Sequence, residues 1–144
     1  MRDGLRFILG VTTYFSIPRS TQFQVRPLME PLAPYFDLAK QDCDPSNGHS
    51  LNESMLNVSS ACARVGEMAA LLKRELTQAE AIERGHAREG DPDASEAKIA
   101  AHIKYSTIEE QSAFNMAEAC HKALLGKFKA LQSALSFLKS EHRL

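Results

Sequence analysis

The stretch 51–79, LNESMLNVSSACARVGEMAALLKRELTQA, decides the fold. Within it Leu51, Met55, Val58, Cys62, Val65, Ala69, Leu72, Leu76 and Ala79 follow the alternating four-three spacing of a coiled-coil seam, and all nine are apolar or small. That spacing keeps one side chain per half-heptad on the same side of a helix of 3.6 residues per turn, so the stripe has to be buried against something. Arg64, Glu67, Lys73, Arg74, Glu75, Gln78 and Glu80 fall between the seam positions and are expected to face solvent.

A second stripe lies further along. Phe114, Ala117, His121, Leu124, Phe128, Leu131, Leu135 and Leu138 keep the same spacing, with His121 the one polar interruption. The 144 residues contain no Trp and only 7% aromatic residues, so the core has to be built largely from Leu, Ala, Val, Ile and Met, as helix-on-helix packing uses. The expected fold is all-α: an antiparallel helical hairpin, or coiled-coil-like bundle, spanning residues 50–144, preceded by a proline-rich N-terminal arm with a short helix in residues 1–49.

Local signals set the expected boundaries. Pro18, Pro27, Pro31 and Pro34 forbid a long helix before Tyr35, but Leu28, Leu32, Phe36 and Ala39 recur at helical spacing and predict a short helix from about Leu28 to Lys40. Asp42 to His49 reads as a loop. Ser50-Leu51-Asn52-Glu53 has the pattern of a capping box, and the first long helix is expected to run from there to about Arg84, ended by Gly85, Gly90 and Pro92. Asp91 before Pro92 is the expected cap of the next helix, and Thr107-Ile108-Glu109-Glu110 predicts a break near Tyr105 to Thr107. In this register Thr107 and Glu110 fall on the seam. Gly66 costs roughly 1 kcal/mol against alanine unless something approaches it closely.

Folding the chain about the middle of an 85–92 linker sets Leu76 near His102 and Ile103, Cys62 near Met116, and Leu51 near Phe128. Everything after Phe128 then overhangs. Leu124, Phe128, Leu131, Leu135 and Leu138 are therefore the expected partner-binding face, covered either by the 28–40 segment or by another protein.

Charge narrows the partners. Residues 37–118 carry eight bases against fifteen acids, while 119–144 carry Lys122, Lys127, Lys129, Lys139 and Arg143 against Glu141 alone. An acidic middle argues against a nucleic-acid surface. The basic end suits a solvated helix face or, as the alternative, an amphipathic helix lying on an anionic membrane. The apolar run Leu5 to Ile17 is too short to span a bilayer; with Arg2, Arg6 and the hydroxyl residues up to Thr21 it fits an organelle transit segment, or else a packed strand pair or helical turn.

Chemistry is thin by comparison. Two Glu-x-x-His motifs, Glu83–His86 and Glu118–His121, have the spacing of bundle di-iron ligands, but the hairpin sets them tens of ångströms apart. His121 is read as a seam residue that specifies register, and His49, His86, His102 and His142 as surface residues. Cys43, Cys62 and Cys120 are an odd number without paired spacing, which fits reduced thiols in an intracellular, reducing compartment, cytoplasmic or mitochondrial. The sequons at Asn52 and Asn57 lie inside the expected helix. Nucleophile elbows and phosphate loops are missing from the sequence. No catalytic, metal or cofactor residues are assigned, and the expected role is a non-enzymatic structural, adaptor or accessory subunit that binds protein partners, or itself, through helix packing.

Overall fold

The computed structural model describes residues 4–8, 14–18 and 30–142. Strands β1 (Gly4–Ile8) and β2 (Tyr14–Pro18) pair antiparallel, with Phe7 opposite Phe15. Among the described residues four helices follow: α1 (Ala33–Lys40), α2 (Gly48–Gly90), α3 (Glu96–Ser106) and α4 (Ile108–His142). The fold is all-α, with α2 and α4 packed antiparallel as its body and α1 laid across their side. The strand pair falls in the apolar run Leu5 to Ile17, for which a packed strand pair is one of the expected readings alongside a transit segment; residues 9–13 between the strands lie outside the described residues, as does the expected helix onset at Leu28.

Helix α1 begins later than its apolar pattern suggests. Pro34 occupies the first turn, where a missing amide costs nothing, and the Leu32 carbonyl accepts from the amides of Tyr35 and Phe36, both at 3.0 Å. Leu32 itself is buried and joins the core.

Helix α2 starts two residues before the expected capping box. Asn47 is the N-cap, its side-chain oxygen accepting from the Ser50 amide at 3.1 Å, so Ser50 lies inside the first turn. At the other end Gly85 does not stop the helix. It continues to Gly90, with Asp91 as C-cap donating its amide to the Ala87 carbonyl at 3.1 Å. A glycine in mid-helix costs about 1 kcal/mol, less than the packing and ladder hydrogen bonds that carry the chain through it. Ser95, not Asp91, caps α3, accepting from the Lys98 amide at 3.2 Å.

The extra turn and a half of α2 moves the hairpin's folding point and so resets the register. Facing residues are Gly48 with Leu138, Gly66 with His121, and Glu83 with His102. This replaces the expected pairing of Leu51 with Phe128 and Cys62 with Met116, each helix having slipped about one turn. The overhang after Phe128 disappears, because α2 now reaches as far as Leu138.

The break between α3 and α4 falls where it was expected, with a different hydrogen bond. The Thr107 hydroxyl donates back to the Ile103 carbonyl at 2.8 Å instead of capping forward, and the Thr107 carbonyl accepts from the Gln111 amide at 3.0 Å. Glu109 and Glu110 in the first turn of α4, and Lys139 and His142 in the last, complement its macrodipole.

The core runs along the hairpin and differs from both seams in width. On α2, Ala61, Met68 and Glu75 are buried beside the seam, forming a second column every seven residues, with Ala61 close to α1. On α4, Ala113 and Cys120 are fully buried, while Phe114, His121 and Phe128 stand at the flank. The true seam of α4 is thus Glu110, Ala113, Ala117, Cys120, Leu124 and Leu131, rotated by about one residue. Small residues at 113, 117 and 120 suit a close approach to the larger Val65, Met68 and Leu72 of the same core.

Candidate interaction surface

The five residues expected to bind a partner are drawn into the chain's own packing. Leu124 is 0% exposed and Leu131 3%; Phe128, Leu135 and Leu138 are half-buried against the same core, which α1 supplies with Tyr35, Phe36, Leu38 and Ala39. Each fully buried leucine contributes about 1.5–3 kcal/mol to folding.

The end of α1 is held down by polar contacts as well. Lys127 donates to the Gln41 carbonyl, and in the following loop Asp44 accepts from the amide of Ser46 at 2.9 Å and from its hydroxyl at 2.7 Å, contacts that lower the Asp44 pKa. Cys43 donates its thiol to the Ser54 hydroxyl at 3.2 Å.

At the start of α1, the Glu30 carboxylate accepts from both the Tyr35 hydroxyl and the Arg64 guanidinium. The Tyr35 hydroxyl and then Arg64 hold the Glu30 carboxyl below its usual range, against the opposing effect of burial. Burial, reinforced by the Glu30 carboxylate, pushes Tyr35 up to about 12. Beside this cluster a shallow groove of about 560 Å³ opens between α1 and α2, floored by Ser60, Ala61 and Ala63 and edged by Tyr35, Arg64 and Glu67.

Large apolar side chains stand in solvent elsewhere. Tyr105 is 81% exposed, Leu56 73% and Phe137 66%, and Ile82, Ile108 and Leu125 are also exposed. Ile82, Tyr105 and Ile108 all belong to the end of the bundle where Glu83 faces His102 across the α2–α3 corner. At the same end a groove of about 520 Å³ opens between α2 and α3, its apolar floor including Ala81, Ala100 and Ile103 and its rim carrying Glu80, Arg84, Lys104 and Gln111; none of the three exposed residues lines it. The corner is fastened by ion pairs. Glu96 accepts from Arg84 at 3.1 Å and from Arg88, Arg88 also donates to the Ala94 carbonyl at 2.9 Å, and Lys98 meets Asp91 at 2.9 Å, which lowers the Asp91 pKa. Such exposed pairs orient α3 more than they stabilise it.

The two Glu-x-x-His motifs stay apart. Glu83 lies 3.3 Å from His102 and 3.9 Å from His86, whereas Glu118 pairs with Lys122 at 2.9 Å one turn along α4. Among the described residues no group of three His, Cys, Asp or Glu side chains is placed to hold a metal ion. The His121 imidazole lies over Gly66, its Nε2 only 3.2 Å from where a Cβ would stand, which accounts for the glycine. Cys120 is buried and Cys62 half-buried, and burial raises both thiols, Cys120 to about 11 with a further push from Cys62. Neither is a ready nucleophile.

Two buried acids were not foreseen alike. Glu110 is 3% exposed, as its seam register implies, but Glu75 at 2% contradicts its expected solvent face. The signal was available in the column Ser54, Ala61, Met68, Glu75, spaced by sevens immediately beside the seam. Lys73, by contrast, stands free of the core and its ammonium sits 5.0 Å over the Phe114 ring, covering that flank residue. No helix among the described residues is long and apolar enough to cross a membrane. No family model, curated protein or solved structure matches this chain.

Proposed function

We propose that the chain is a non-enzymatic structural or adaptor subunit that holds a protein partner, or a second copy of itself, by helix packing. The observation that carries this reading is the set of large apolar side chains left outside a core that is already filled. Isolated exposed leucines are ordinary, but Ile82, Tyr105 and Ile108 are all exposed toward the end of the bundle where an apolar-floored groove opens between α2 and α3, and surfaces of this composition are the kind that partners cover. The contact face in this reading moves from Leu124, Phe128, Leu131, Leu135 and Leu138, which the chain uses itself, to the α2–α3 corner. The alternative, a basic amphipathic α4 lying on an anionic membrane, loses support from the burial of Leu124 and Leu131, because those side chains would have to enter the lipid. A reducing intracellular compartment remains the reading that unpaired Cys43, Cys62 and Cys120 favour.

The test is site-specific crosslinking in the full chain. A photoreactive residue in place of Tyr105 should give one discrete adduct in the native cell, and the same residue in place of exposed Gln132 on α4 should give none. Equal, diffuse labelling from both positions would refute the corner as a partner surface.

A further inference from the structure

We draw no further inference here: the strongest candidate, the Glu83–His86–His102 cluster that ties α2 to α3 at the corner of the hairpin, carries nothing, because its two imidazoles approach one carboxylate without three donors being placed to hold an ion.

Discussion

Replacing Gly66 by alanine sets two effects of similar size against each other. Alanine in the interior of α2 gains about 1 kcal/mol of helix propensity over glycine. The new Cβ, however, would stand 3.2 Å from Nε2, 3.5 Å from Cδ2 and 3.7 Å from Cε1 of His121, so the imidazole has to retreat by a few tenths of an ångström. Forcing a packed side chain off its preferred position costs about 1 kcal/mol. Gly66→Ala should therefore be nearly neutral in the native sequence. In a His121→Ala background the obstacle is gone, and the same substitution should stabilise by about 1 kcal/mol. Urea denaturation of the four proteins, followed by circular dichroism at 222 nm, measures both steps, and the difference between them is the coupling energy of the pair. Additive behaviour, with Gly66→Ala stabilising equally in both backgrounds, would refute the seating of His121 on Gly66 and the register built on it.

The remaining expectations address the core, the polar cluster and the alternative reading. Leu131→Asp puts a carboxylate into a fully packed site and should lower stability by about 3–5 kcal/mol or prevent folding, while Phe137→Asp should leave the urea midpoint nearly unchanged. Ultraviolet titration of the native protein minus Tyr35→Phe should show a phenol ionising near pH 12; because the folded pKa is raised, its stabilisation is complete below pH ~10 and is lost as pH climbs through 12. Glu30 has the opposite sign: its folded pKa is depressed, so its contribution is present above the ordinary carboxyl range and lost as pH falls through the folded value. Acid-induced loss of amide protection in α1 should diminish in Glu30→Gln. Cys120, held up to about 11 and fully buried, should resist iodoacetamide at pH 8 until urea unfolds the chain; labelling at the rate of a free thiol would show that the seam opens in the native state. Vesicles rich in anionic lipid should not sediment the protein, and sedimentation that depends on lipid charge would revive the membrane reading.

The hairpin was legible because a seam of nine positions has few other solutions, and the break at Thr107 because a polar pair interrupts the apolar register there. Boundaries were less legible for a physical reason. Glycine and the Ser-x-x-Glu pattern report local preference, worth about 1 kcal/mol each, whereas the end of α2 is decided by packing against α3 and by the ion pairs of Glu96, which no local window contains. A shift of about four residues in the folding point then propagated along the whole hairpin. It turned an apparent overhang at Leu131, Leu135 and Leu138 into ordinary core and moved the candidate surface to the opposite end. Glu75 was misjudged because a narrow seam was assumed, while the buried face of α2 also takes in the neighbouring positions Ala61, Met68 and Glu75.

The length of α2 gives the molecule a root and a tip. Forty-three residues at about 1.5 Å each make a rod of roughly 65 Å, with Gly48 and Leu138 at one end and the α2–α3 corner at the other. The last turn of α4 lies at the root, so a fluorophore attached at His142 is carried roughly five nanometres from Tyr105. Whatever is fastened at the root can be held at a fixed reach from whatever meets the tip, and changing the heptad count of α2 and α4 together would alter that reach by about 10 Å per heptad while leaving both ends as they are.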